Sequence, residues 1–233
     1  MLLFKGQIAM KTDLLPYQID DWHLLVHLPE GEGPFPVVML NHGWKGDERV
    51  MWVFSGQIPD VFAVIAPRGS CASRDGEGYG WVHHEWDGYS TLEDFTPAVD
   101  DFVDLLDQLP DHFPVDVSRV HLVGFSQGAA MSYCLGALHP HRVWSVAGLA
   151  GFVPEGLADL EAFQPYADIA VYIAHGTQDE TVPVQMMYAG MQVLTDLGQR
   201  DLVYCESDVG HKLNAGCLRG LGHFYNKMLP ASD

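Results

Sequence analysis

Basic residues are scarce in this chain of 233 residues, in which 12 Lys and Arg stand against 31 Asp and Glu and leave a formal net charge of −19. Nucleic acids and anionic lipid surfaces both attract proteins through clusters of Lys and Arg. The shortage therefore argues against a nucleic-acid partner and against simple docking on an anionic membrane. No apolar run approaches the roughly 20 residues that cross a bilayer, so no integral membrane segment is predicted.

Cysteine is also rare. The four cysteines show no paired spacing along the sequence; they are Cys71, Cys134, Cys205 and Cys217. Cys134 and Cys205 lie in apolar segments, which predicts buried thiols. The first residues of the chain lack the charged start and the long apolar stretch of a signal peptide. Together these features predict a reduced protein of the cytoplasm.

Apolar residues make up 48% of the chain and charged residues 18%, a balance that favours one large core over disorder. Short apolar runs alternate with segments of helical periodicity, which predicts a mainly parallel sheet of about eight strands with helices on both faces. We expect a single α/β domain over residues 1–233. The predicted strands are 6–10, 17–28, 36–40, 61–66, 120–123, 143–149, 169–174 and 202–205, and the predicted helices are a segment capped by Thr96, 129–135, 184–197 and 213–228.

The most informative segment is Gly124-Phe125-Ser126-Gln127-Gly128, which follows an apolar run typical of a strand and precedes a run typical of a helix. Gly-x-Ser-x-Gly in this context predicts a tight turn that lifts a serine hydroxyl above the edge of a sheet. The helix that follows places free N–H groups and a partial positive charge behind the serine. Ser126 is therefore the candidate nucleophile.

A serine alcohol needs a base that takes its proton and a carboxylate that orients this base, in the chain order Ser, Asp or Glu, His. The predicted strand 169–174 leads into a loop with Asp179, and the predicted strand 202–205 leads into a loop with His211. We expect His211 to be the general base and Asp179 to be the residue that orients it. Glu180 and Asp208 are the rival carboxylates in the same two loops.

Four motifs resemble the phospholipase/carboxylesterase family of α/β-hydrolases, which includes acyl-protein thioesterases. They are Leu40-Asn41-His42-Gly43-Trp44, Gly124–Gly128, His175-Gly176-Thr177-Gln178-Asp179 with Val182-Pro183, and Gly210-His211. The resemblance extends from about residue 37 onward and implies an α/β-hydrolase fold and the triad Ser126, Asp179 and His211. Two positions depart from it, since Ala129 replaces a frequent glycine and the bulky Trp44 follows the His-Gly pair.

The same resemblance implies an oxyanion hole made of two backbone N–H groups. One belongs to Gln127, the residue after the nucleophile, and the other to Trp44 in the loop after the first parallel strand. Gly43 would let this loop approach the substrate. In a comparable enzyme, the loss of one such donor raises the activation free energy by on the order of 3 kcal/mol.

A long irregular stretch from Pro67 to about Ser90 is rich in glycine and aromatic residues. Such loops in compact domains are usually functional or mobile, and this one would lie over the edge that carries Ser126. One hypothesis is that Trp81 lines an acyl pocket together with Trp44. The alternative is that both tryptophans only anchor the loop to the core.

The function predicted from these residues is hydrolysis of a small acyl ester or thioester without a metal or organic cofactor. His83, His84 and His42 are candidate metal ligands, but their spacing matches no established ligand motif. Two alternatives stay open, namely a serine peptidase of the same fold and a non-catalytic binding module on a hydrolase scaffold. The natural substrate and the oligomeric state are not predicted.

Overall fold

The chain is built around a central sheet in a computed structural model that describes residues 10–83 and 88–229. The described strands are β1 (Leu15–Ile19), β2 (Trp22–His27), β3 (Phe35–Asn41), β4 (Ala63–Pro67), β5 (Cys71–Ala72), β6 (Tyr79–Gly80), β7 (Val115–Phe125), β8 (Val143–Leu149), β9 (Ala170–Gly176) and β10 (Val203–Ser207). The α-helices are α1 (Leu92–His112), α2 (Gln127–Leu138), α3 (Val184–Asp196) and α4 (Ala215–Asn226), and short 3-10 helices span Val50–Gln57, Pro140–Arg142 and Leu157–Phe163.

The central sheet has eight strands in the order β1-β2-β4-β3-β7-β8-β9-β10, and β5 and β6 form a separate ribbon. The pairs β1–β2 and β2–β4 are antiparallel, whereas all pairs from β4 to β10 are parallel. The carboxyl ends of β3, β7, β9 and β10 therefore lie at one edge, where open α/β sheets bind ligands. The prediction of a mostly parallel sheet of about eight strands is confirmed.

Helices cover both faces of this sheet because its strands are apolar on both sides. In β3, Val37 and Met39 pack into one core layer with α1, α2 and α3, whereas Val38 and Leu40 pack into the other. The second layer is covered by α4 and by the 3-10 helix Val50–Gln57. A strand whose successive side chains are all buried is typical of a parallel sheet enclosed by helices.

Two predictions of where an element begins or ends were wrong. The segment 17–28, predicted as one strand, contains the hairpin of β1 and β2, which turns at Asp20 with a positive φ of 47°. Helix α1 begins five residues earlier than the predicted first turn after Thr96, since Thr91 and Asp94 form a capping box. The predicted strand 6–10 lies outside the described residues except for Met10, which belongs to no strand.

A disulfide joins Cys205 in β10 to Cys217 in α4, and their Cα atoms lie 5.6 Å apart. The prediction of four reduced cysteines was therefore wrong, and Cys205 is half-buried rather than buried. The pairing arises because the loop after β10 folds back and sets α4 beside the strand, which the spacing in the sequence does not reveal. Cys134 is a buried free thiol as predicted, and burial raises its pKa.

Candidate active site

The turn between β7 and α2 places Ser126 at the carboxyl edge of the sheet. Ser126 has φ 53° and ψ −118°, a conformation that costs a non-glycine residue on the order of 1–3 kcal/mol. The flanking glycines explain how the turn fits. A Cβ on Gly124 would lie 2.2 Å from the carbonyl oxygen of Gly128, and one on Gly128 would lie 2.1 Å from that of Asn41. Side chains at either position would thus force the strand and helix apart.

Asp179 and His211, the candidate orienting carboxylate and base, are in direct contact. His211 Nδ1 lies 2.7 Å from Asp179 Oδ2. Asp179 Oδ1 accepts hydrogen bonds of 2.9 Å from the backbone N–H groups of Thr181 and Val182. Both carboxylate oxygens are thereby engaged, and the side chain is fully buried. A hydrogen bond from Nδ1 to a carboxylate leaves the Nε2 of a neutral imidazole free to accept a proton.

Backbone hydrogen bonds join the loops after β9 and β10. These bonds place Asp179 beside His211. Thr177 N donates to Ser207 O at 2.8 Å, and Gln178 N donates to Val209 O at 3.0 Å. Gly176 permits the contact, because a Cβ there would lie 2.2 Å from the Gly210 carbonyl oxygen. The rival carboxylates of the two loops, Glu180 and Asp208, are both exposed.

The two other histidines of the motifs are held by hydrogen bonds to backbone groups. His42 Nδ1 lies 2.8 Å from the carbonyl oxygen of Gly43, and His42 Nε2 accepts from Gly69 N at 2.8 Å. Burial lowers the pKa of His42, which favours the neutral ring that this donor and acceptor pair requires. His175 Nε2 lies 2.7 Å from Val182 O and so supports the Asp179 loop.

Two cavities meet at Ser126 and share Trp44 as a wall. The larger, here called the His211 cavity, has a volume of about 500 Å³. Besides Ser126, Trp44 and His211, its lining includes Val50, Val53, Phe54, Leu213 and Leu218. The smaller, here called the Tyr89 cavity, has a volume of about 300 Å³, and the described residues in its lining include Tyr89, Phe152, Thr181 and Val182. Ser126 thus faces space on two sides.

The loop after β3 brings the backbone of Gly43 and Trp44 beside the serine. A Cβ on Gly43 would lie 3.2 Å from the Cβ of Ser126, so only glycine allows this approach without adjustment. Tyr79 N donates to Gly46 O at 2.9 Å and fixes the far end of the loop against β6. The half-buried Trp44 packs over Gly80, where a Cβ would meet its ring at 2.3 Å.

Trp81 does not reach either cavity. It is 3% exposed and packs in the core against Trp22 and Phe102, and its Nε1 donates to His42 O at 2.7 Å. The pocket hypothesis for Trp81 is therefore replaced by the anchoring alternative, because its indole is enclosed by core residues. Trp44, in contrast, lines both cavities.

The side chain of Gln127 has a role that the sequence reasoning missed. Its Oε1 accepts from Trp81 N at 2.8 Å, and its Nε2 donates to Val82 O at 3.1 Å. Gln127, the residue after Ser126, therefore holds the glycine-rich loop in place. The residue type itself could have indicated this role, because a glutamine amide that is buried at the start of a helix requires hydrogen-bond partners.

Neither a metal cluster nor a membrane-spanning helix is found in the described part of the chain. Over residues 10–83 and 88–229, no group of three His, Cys, Asp or Glu is placed to hold a metal ion. No helix in these ranges is long and apolar enough to cross a bilayer. His83 is exposed, whereas His84 lies outside the described residues.

Comparisons with known proteins agree with this architecture. The family model described as Phospholipase/Carboxylesterase matches residues 30–229. NocK of Nocardia uniformis subsp. tsuyamanensis, a provisionally assigned esterase, is 30% identical over 62% of this chain and 40% of its own length. Acyl-protein thioesterase 1 of Emericella nidulans is 26% identical over 50% of each chain. The chain thus spans half or less of the length of these curated relatives.

The fold is also found among solved structures. The carboxylesterase of Bacillus cereus has a TM-score of 0.78 at 19% identity, with 90% of this chain and 96% of that chain covered. At this identity the likeness shows the fold alone, which is the α/β-hydrolase fold, as the sequence predicted. The family match over most of the chain carries the assignment further, and the chain belongs to the phospholipase/carboxylesterase family.

Proposed function

We propose that the chain is a serine hydrolase that cleaves carboxylic esters through an acyl-enzyme on Ser126. The observation that carries this proposal is the 2.7 Å contact between His211 Nδ1 and Asp179 Oδ2 at a cavity that both His211 and Ser126 line. Nucleophile, base and orienting carboxylate come from three different loops at one edge of the sheet. Convergence of this kind is the geometric mark of a catalytic triad.

The reaction follows from these positions. Ser126 Oγ forms a bond to the ester carbonyl carbon while His211 Nε2 takes the hydroxyl proton. The bond from carbon to the leaving oxygen then breaks, and His211 returns the proton to that oxygen. Water attacks the acyl-enzyme with His211 again as base, which releases the acid and restores the serine.

The oxyanion of each tetrahedral intermediate is proposed to bind the backbone N–H groups of Trp44 and Gln127. Gln127 is the first residue of α2, and the first N–H groups of a helix have no acceptor within the helix. The close approach of Gly43 to Ser126 supports the position assigned to Trp44. Two preorganised donors in a half-buried site stabilise developing charge more strongly than water does.

Thioesters form a second substrate class, favoured by one specific observation. The related protein of Emericella nidulans is named an acyl-protein thioesterase. A thiolate leaves more readily than an alkoxide, so the same residues serve both reactions. The peptidase and binding-module alternatives have no such support among the described residues.

Hydrolysis of p-nitrophenyl esters from acetate to palmitate tests the proposal, with Ser126→Ala measured in parallel. We expect a rate that the substitution abolishes. A non-catalytic binding module would give no rate and no adduct with a fluorophosphonate probe. The cytoplasmic location stays a prediction, which the Cys205–Cys217 disulfide weakens because disulfides persist mainly in oxidising compartments.

A further inference from the structure

The two cavities at Ser126 differ in their relation to the base. His211 lines the larger cavity, whereas no described histidine lines the smaller one. The ring of Phe125 packs edge-on against His211 at a centroid distance of 4.9 Å and supports it from the side of the larger cavity. In the proposed reaction, proton transfer by His211 therefore takes place on the side of the larger cavity.

Chemistry assigns a substrate part to each cavity. The proton on His211 Nε2 must reach the leaving oxygen, so the alcohol part of the ester has to lie on the His211 side. The acyl group projects from the same carbonyl carbon away from the base. From this geometry we infer that the alcohol or thiol part occupies the His211 cavity and the acyl group occupies the Tyr89 cavity, an inference that rests on the proposed function.

The walls of the His211 cavity indicate what kind of alcohol would bind. Val50 and Val53 line this cavity and are 51% and 54% exposed, and Phe54, Leu213 and Leu218 complete an apolar lining. Binding of an apolar ligand over exposed aliphatic side chains in a concave space is favourable, because it removes apolar surface from water. A volume of about 500 Å³ also lies within the range of small-molecule sites.

The Tyr89 cavity is the smaller of the two, with a volume of about 300 Å³. Tyr89 Oη donates to Thr181 O at 2.9 Å, and its ring packs on Phe152 at a centroid distance of 4.7 Å. These contacts tie the segment around Tyr89 to the Asp179 loop and limit the space beyond Ser126. The substrate class that fits both cavities is an ester or thioester of a bulky apolar alcohol or thiol with a short acyl group.

The experiment separates the two substrate parts kinetically. All acetate esters form the same acetyl-enzyme, so acylation reports on the alcohol and deacylation reports on the acyl group alone. Stopped-flow kinetics are measured for ethyl, cyclohexyl and 1-naphthyl acetate and for p-nitrophenyl esters of increasing acyl length. The variants are Val53→Trp, which fills the His211 cavity, and Tyr89→Ala, which opens the other. Val61→Trp, at an exposed position before β4 at the opposite end of the sheet, is the matched control.

We expect the wild-type chain to prefer bulky alcohols and short acyl groups. Val53→Trp should lower acylation by 1-naphthyl acetate about tenfold relative to deacylation, and Tyr89→Ala should shift the preference towards longer acyl groups. The inference is overturned if Val53→Trp slows deacylation or shortens the preferred acyl group, or if it changes neither step. Failure of the proposed function looks different, since no ester would then be cleaved or cleavage would survive Ser126→Ala.

Discussion

The side chain of Gln127 holds the backbone of Trp81, although 46 residues separate them. Gln127 Oε1 accepts from the Trp81 N–H at 2.8 Å in a buried position. The first residue of α2 thereby fixes the loop on which the Trp44 ring packs. The positions of the residues at the site thus depend on this hydrogen bond between distant segments as well as on packing in the hydrophobic core.

Gln127→Ala is expected to destabilise the chain by about 1–3 kcal/mol, because it leaves the buried Trp81 N–H without its acceptor. The value comes from chemical denaturation of the variant and of the unmodified chain. Gln192→Ala is the matched control, since the amide of Gln192 donates to Asp196 Oδ1 at 2.8 Å on the exposed side of α3. Equal stability losses in the two variants would contradict the role assigned to Gln127.

Asp179→Asn is expected to lower kcat by about 10⁴-fold while the fold is retained, because an amide no longer selects the tautomer with a free Nε2. Steady-state hydrolysis of p-nitrophenyl acetate measures the effect. Glu180→Gln removes the neighbouring exposed carboxylate and should leave kcat within about twofold, in the range of surface substitutions. A large loss in Glu180→Gln with activity retained in Asp179→Asn would exchange their roles.

The Cys205–Cys217 disulfide is expected to stabilise the chain by about 3 kcal/mol, the chain-entropy value for a loop of this length. Titration of the denatured protein without reductant should find two free thiols, those of Cys71 and Cys134. Cys205→Ser with Cys217→Ser should then lower the free energy of unfolding, and reductant should have no further effect on it. Four free thiols in the denatured protein without reductant would contradict the pairing.

Buried His121 is expected to make stability depend on pH. Its Nδ1 lies 2.8 Å from Ser145 Oγ, and burial lowers its pKa from 6.5 to about 4. Because the unfolded chain binds the proton more readily, this contribution is complete above pH 6.5 and is lost as the pH falls towards 4, by about 3 kcal/mol.

Denaturation of the His121→Gln variant between pH 7.5 and pH 4.5 measures this effect. The variant should lose less stability over the range than the unmodified chain. His223→Gln, at an exposed position in α4, should keep the full pH dependence. A pH dependence that is identical in His121→Gln and the unmodified chain would show that other groups cause it.

Much of the architecture follows from local patterns, and the departures have physical causes. Fully apolar strands predict a buried parallel sheet, and loops directly after such strands place Asp179 and His211 at one edge. The hairpin at Asp20 and the cap at Thr91 were missed because they depend on single turn residues within longer runs. The Cys205–Cys217 pair and the burial of Trp81 depend on how distant loops fold back, which periodicity does not encode.

The most direct test of the account is where a covalent adduct forms. The chain is treated with a fluorophosphonate probe, digested and mapped by mass spectrometry, with Ser126→Ala treated in parallel. The account predicts one adduct, on Ser126, together with parallel loss of p-nitrophenyl ester hydrolysis and no adduct on the variant. Hydrolysis that persists in Ser126→Ala, or an adduct on a different residue, would contradict it.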